Sequence, residues 1–258
     1  AYFTKPDGQR YQAGDVLKNP AYAASLRKIG AEGPKAILEG ALAKAIVAKV
    51  AQGPLPGTMT LADLKAYRPK AGDAVCGPYR IYVVCVPDAP SSVAALLEAL
   101  GILANTDIAE RGPADPQAWF LFTQASRLMY ADRDRYFGDP DFTPVPIEGL
   151  LDPAYVAQRA KLIGEVAGPA PAPGTPRGAG ALAPDATKEP GGTSHFVVVD
   201  AQGNVVSMTT TVESIFGTGR MVGGFFLNNQ LTDFSWSPQN ADGTHAANAV
   251  APGERPRS

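Results

Sequence analysis

No apolar run in this chain approaches the roughly 20 residues that a membrane-spanning helix needs. The amino end, Ala1-Tyr-Phe-Thr-Lys-Pro6, lacks the charged and apolar regions of a secretory signal. It also lacks a starting Met, so a signal is sought outside these residues rather than excluded. Histidine is almost missing: His195 and His245 alone provide no cluster for a metal. Cysteine is as scarce. Cys76 and Cys85 have no metal spacing and are too few for a disulfide framework, although a hairpin through Gly77-Pro78 could bring them near each other. Buried free thiols are the expected state, with a disulfide as the alternative. An excess of either charge is absent too: 23 basic against 25 acidic residues leave no basic stripe for nucleic acid and no charged tail. Gly217-Thr-Gly219 and Gly223-Gly224 are too short and wrongly placed to cradle a phosphate.

What is present suits a globular protein of one or two domains, with 258 residues and 45% hydrophobic content. Three regions follow from composition: 1–166, mostly helical; 167–192, a linker; and 193–258, rich in strand. In the first, helical spacing predicts helices over 15–30, ended by Gly30, and from Pro34 to Val50. Thr60 and Asp63 form a predicted capping box. A hairpin is expected over 74–86, then helices over 93–103, 117–136 (burying Trp119, Phe122, Leu128 and Met129) and roughly 153–166. In the linker, 19 of 26 residues are Ala, Gly or Pro, which leaves little to bury against the entropy of ordering it. Mobility is expected there. After it the period becomes two. Phe196–Asp200 and Val205–Val212 read as core strands joined by Ala201-Gln-Gly-Asn204, with Phe225–Leu227 as a third. Helices followed by strands suit an α+β fold with antiparallel sheet at its centre.

Thr193 stands where the linker meets the first of these strands, as Gly191-Gly192-Thr193-Ser194-His195. A cleavable backbone before such a hydroxyl residue is what an amino-terminal nucleophile requires, since the freed α-amine can take the hydroxyl's own proton. The stretch from Thr193 to Gly219, with Leu-Asn-Asn-Gln-Leu-Thr-Asp-Phe-Ser (227–235), resembles the start of the small subunit of γ-glutamyltransferases. Asn-Ala-Val-Ala-Pro-Gly-Glu-Arg-Pro-Arg-Ser (248–258) resembles the same family further on. Upstream, Leu61–Leu64 with Tyr67-Arg-Pro69, and Tyr130–Tyr136 with Gly138–Phe142, resemble the end of its large subunit. The resemblance runs over essentially the whole chain.

It implies the αββα sandwich of N-terminal nucleophile hydrolases, only part of which this chain would supply, and an autoprocessed transferase or hydrolase of γ-glutamyl compounds such as glutathione. Cleavage falls between Gly192 and Thr193, whose hydroxyl then forms an acyl-enzyme on γ-glutamyl amides. By resemblance Thr211 hydrogen-bonds that hydroxyl, and Asp233 binds the donor's α-amino group. Glu213 departs from the pattern, since well-known members place Asn there; a carboxylate can still meet an ammonium, with altered donor preference. Ser258 matches the first of two serines that hold the donor's α-carboxylate. The remaining implied partners are water or an amine as acceptor and a large/small subunit heterodimer, with no cofactor and no nucleic acid. The usual compartment is the periplasm or the exterior. Residues 236–247 match a lid loop that lacks its gating Tyr, which favours hydrolysis over transfer. His195 is read as structural, because Ser194 and His195 face opposite sides of a strand. Lacking the upstream Arg and downstream Gly-Gly of the family, the 258 residues by themselves are expected to be inactive and poorly folded. A glutaryl (cephalosporin-type) acylase and an unprocessed binding domain of the same fold are the rival readings.

Overall fold

Helix α1, Pro20–Glu32, begins where the Asn19 side chain accepts from Tyr22 N and Pro20 supplies a preset φ. The helix passes through Gly30 and stops at Gly33, whose φ of 66° makes it the capping glycine. The helix predicted from Pro34 to Val50 is two: α2, Lys35–Leu38, and α3, Gly40–Val50. Extended Glu39 and left-handed Gly40 (φ 76°) break it. α4, Leu61–Ala66, carries the expected capping box of Thr60 and Asp63.

The computed structural model describes residues 2–188 and 191–257. The chain forms two units, one from Ala1–Pro69 with Pro190–Asn229, the other from Lys70–Glu189 with Gln230–Ser258.

The first unit holds α1–α4 and two hairpins that follow the linker. The turn of the smaller one, Gly223-Gly224, rests on α1: Asn19 Nδ2 and Ser25 Oγ each donate, at 2.7 Å, to the carbonyls of Gly224 and Gly223. A Cβ on Gly224 would come within 2.2 Å of Tyr22 N, so glycine is required there for close packing. Arg220 donates to the Val50 carbonyl at the end of α3 (2.7 Å).

In the second unit, β1 (Ala74–Tyr79) and β2 (Tyr82–Pro87) form the predicted hairpin, with Cys76 opposite Cys85. Their Cα atoms lie 4.1 Å apart and the thiols are bonded. Free buried thiols were therefore the wrong expectation: strand register makes the two cysteines direct partners, on an exposed face. α5 (Ala94–Ala104), α6 (Pro116–Tyr136), α7 (Ile147–Leu150) and α8 (Pro153–Ala160) complete this unit. The buried stripe of α6 is Leu121, Ala125, Leu128, Asp132 and Tyr136. Trp119 and Phe122, predicted as core, fall off that phase and are 61% and 50% exposed.

Two polar side chains inside this core organise the linker. Buried Asp132 accepts from Tyr155 Oη (2.8 Å) and Gly174 N (2.6 Å), and pairs with Arg159 Nε (2.9 Å). Arg159 also donates to the carbonyls of Leu128 and Ala172. Tyr136 Oη donates to Gly174 O, and Arg127 to the carbonyls of Gly168 and Pro169. The stretch 168–174 is thus held by its backbone, not by side-chain burial. Beside Asp132, burial and that neighbour hold the Glu98 carboxyl well above the usual carboxylate range.

The larger hairpin of the first unit is β3 (Ser194–Val199) with β4 (Val205–Thr210), in the register Ser194↔Thr210 to Val199↔Val205. Asp200 accepts from the amides of Gln202 and Asn204 in its turn, and Gly203 takes φ 84°. All twelve side chains are exposed, against the expectation of core strands. Phe196–Val199 is apolar on both faces, the pattern of a central strand, yet among the described residues no third strand joins either edge. β5 (Met221–Val222) and β6 (Phe225–Phe226) pair separately.

Candidate active site

Thr193 lies one residue before β3 and is exposed. Continuing the β3–β4 register by one step sets it opposite Thr211, with both side chains on one face. That face continues through His195, whose ring nitrogens lie 2.8 Å from Thr209 Oγ1 and 3.1 Å from Ser207 Oγ. Thr211 Oγ1 accepts from Glu213 N at 2.7 Å, which leaves its own O–H to donate elsewhere.

Glu213 is the most unusual residue of this group. It has φ 71°, in the left-handed region that a residue with Cβ rarely enters, and is 5% exposed. Strain of this kind costs about 1–3 kcal/mol and persists only where surroundings impose it. The imposing contacts are visible: Glu213 Oε2 accepts from Ser214 Oγ (3.0 Å) and Asn229 Nδ2, while Ser214 N donates to Asn229 Oδ1 (3.0 Å). Oε1 is buried without a hydrogen-bond partner. A bare carboxylate oxygen out of water is an acceptor awaiting a donor, and an ammonium meets that need best. Gly192 packs against the same residue, so that a Cβ there would sit 2.3 Å from Glu213 O. Gly192, Thr193, Thr211 and Glu213 are thereby gathered in the first unit. Asn229 joins them; it lies in the motif of residues 227–235, where its residue type alone implies no role.

Asp233 belongs to the second unit, at the end of a 3-10 turn over Gln230–Asp233, and is 8% exposed. Gln230 Nε2 donates to its Oδ2. Ser258 lies outside the described residues. The chain leading to it is clamped by Asp139, which accepts from Arg255 N (2.9 Å), Nε (2.8 Å) and Nη2 (2.5 Å). Burial raises the Asp139 carboxyl, yet those bonds win and bring it down to about 2. Burial, then the Asp139 charge, lifts neighbouring Glu254 to about 7.

Two cavities of about 850 and 670 Å³ occur in the second unit. Neither is lined by any of the candidate residues. Among the described residues no group of three or more His, Cys, Asp or Glu side chains converges as a metal site, and no helix is long and apolar enough to cross a membrane.

A nucleophile candidate at a strand start, an α+β architecture and a motif spread over both units define a class, the N-terminal nucleophile hydrolases. Within that class the chain belongs to the gamma-glutamyltranspeptidase family, whose model matches residues 1–258. It is 35% identical over 264 residues to the glutathione hydrolase proenzyme of Bacillus subtilis strain 168, covering 98% of this chain and 44% of that protein. The acylase ACY 1 proenzyme of Pseudomonas sp. strain V22 is 34% identical over 253 residues, covering 97% and 42%. Among solved structures, cephalosporin acylase from Bacillus halodurans superposes with TM-score 0.81 at 27% identity, covering 98% of this chain and 43% of the other. The chain thus spans less than half the length of these relatives.

Proposed function

We propose that the protein containing this chain cuts itself between Gly192 and Thr193 and then cleaves γ-glutamyl amides such as glutathione. In the first step Thr193 Oγ attacks the Gly192 carbonyl, the peptide C–N bond breaks, and an ester forms with release of the Thr193 α-amine. Water hydrolyses that ester, leaving a Gly192 carboxylate and the free hydroxyl. In the second step the α-amine takes the hydroxyl proton as Oγ attacks the γ-carbonyl of the donor. The leaving amine departs with a proton, and the acyl-enzyme passes its γ-glutamyl group to water or to an acceptor amine. Thr211 supports the nucleophile. The family pattern supports, residue by residue, Glu213 or Asp233 as the acid for the donor's ammonium and Ser258 as a residue for its α-carboxylate. The observation that carries this reading is the buried, unpartnered Glu213 Oε1 two residues beyond Thr211. We place the protein in the periplasm or outside the cell, where oxidising conditions preserve a bond such as Cys76–Cys85.

The test is the intact mass of the full-length protein after incubation, beside Thr193→Ala. Two fragments are expected from the parent, the second beginning with Thr193, and one from the variant. A parent that stays whole while hydrolysing γ-glutamyl-p-nitroanilide would sink the mechanism. The acylase relative motivates a second reading, a glutaryl-type amidohydrolase. Hydrolysis of glutaryl amides with γ-glutamyl-p-nitroanilide left intact would establish that reading instead. A protein that neither processes nor hydrolyses either substrate is the unprocessed binding domain.

A further inference from the structure

Asn248 opens the motif that resembles the family near the end of the chain, but nothing in the proposed chemistry uses it. It is 1% exposed, and both side-chain N–H donors and the side-chain oxygen are engaged within the second unit. Its Nδ2 donates to the Asp233 carbonyl (2.6 Å) and to Thr187 Oγ1 (3.0 Å). Its Oδ1 accepts from Arg257 N (2.8 Å), and its own carbonyl accepts from Ser235 N (2.9 Å). The amide orientation is fixed by the partners, because a carbonyl can only accept and a backbone N–H can only donate. One side chain therefore joins three segments: the stretch before the cleavage site, the turn carrying Asp233, and the residue adjoining Ser258.

Neighbouring contacts tie the same segments. Thr187 Oγ1 reaches Asp233 O at 3.4 Å and Asp185 Oδ1 at 2.8 Å, and Asp185 pairs with the Arg257 guanidinium at 2.8 Å. Asp233 reaches the donor through its side chain, so its backbone must be fixed from behind for that carboxylate to keep its aim. The Asn248 amide does this, and its opposite edge sets the backbone of residue 257 in the same frame. We propose that Asn248 is a positioning residue for donor binding, holding the Asp233 and Arg257 backbones in one frame so that the Asp233 carboxylate keeps its aim at a donor's ammonium. This inference rests on the site reading given above for Asp233.

The discriminating variant is Asn248→Asp. It is isosteric and keeps the acceptor for Arg257 N–H, but turns a carboxylate oxygen toward the Asp233 carbonyl. In the full-length processed enzyme, KM for γ-glutamyl-p-nitroanilide should rise roughly 10-fold, with kcat within about twofold, because ground-state and transition-state binding of the donor are lost together. A merely structural role would instead lower the active fraction, and so apparent kcat, at unchanged KM. That outcome, or no change in either constant, overturns the proposal. Thr187→Val serves where Asn248→Asp yields no processed enzyme: it removes one partner of the amide, and KM should rise at least about threefold. An unchanged KM in that variant overturns the proposal equally. Asp233→Asn is run alongside. If it leaves KM untouched, the reading of Asp233 as the donor's acid is what fails, whatever Asn248 does.

Discussion

Gly192→Ala tests whether the scissile bond is held by the contact seen here. The added Cβ would stand 2.3 Å from the Glu213 carbonyl oxygen, about 1 Å short of even a tight contact. The opposing atom is backbone, and it belongs to a residue already strained at φ 71°. Neither side can yield by rotating a side chain. Overpacking of this kind costs about 1–3 kcal/mol. Relief comes by moving the Gly192 peptide away from its place beside Glu213, and with it the carbonyl that Thr193 must attack. If the full cost falls on the reacting geometry, processing slows by roughly 5- to 150-fold. The control is Gly191→Ala, where a Cβ meets nothing within 4 Å. Both variants stiffen the unfolded chain equally, so their difference isolates the contact. The assay is a time course of intact mass on full-length precursor. Equal rates for the two variants, whether both fast or both slow, would refute the argument.

Replacing both cysteines by serine should cost about 2–3 kcal/mol, the loop entropy of a crosslink at sequence separation 9, and lower the thermal midpoint by roughly 5–10 °C. Dithiothreitol should lower the parent by the same amount and leave the double variant unmoved. Asp139→Asn should destabilise by about 1–3 kcal/mol by weakening the Arg255 clamp. Because the Asp139 value is depressed from 3.8 to about 2, its contribution is present above pH 3.8 and disappears as pH falls through about 2. Acid titration of stability should lose that segment in the variant. Glu254 has the opposite sign: raised from 4.5 to about 7, it lowers stability as pH climbs through that window. Glu254→Gln should therefore flatten the fall in melting temperature between pH 4.5 and about pH 7.

Local chemistry was legible in the sequence wherever one short segment decides the outcome. The Thr60–Asp63 capping box, the Asp200–Asn204 turn and the two main hairpins depend on residues within a few positions of one another. Long-range packing was not. Leu128 could be assigned to the core, but Trp119 and Phe122 were misplaced because bulk was weighed above helical phase. The linker shows the same limit. Its composition says only that it has little to bury; that Asp132, Tyr136 and Arg159 bind its carbonyls and amides depends on side chains 13 to 42 residues away. At the candidate site, Thr193 is suggested by its place between linker and strand, and Thr211 only by the family resemblance. The strained backbone of Glu213 and its contacts with Asn229 and Gly192 arise only in the folded chain.

The order of segments in the two units bears on what processing would leave behind. A cut between 192 and 193 does not fall between units, because each unit draws residues from both sides of it. In the first, α1 and α3 hold the later hairpin through Asn19–Gly224, Ser25–Gly223 and Arg220–Val50. In the second, Arg255 grips Asp139, Arg257 grips Asp185, and Asn248 holds Thr187. Two polypeptides interleaved within each unit cannot part by rigid separation. Both units must lose their internal packing first, and a processed heterodimer should therefore dissociate only as it unfolds.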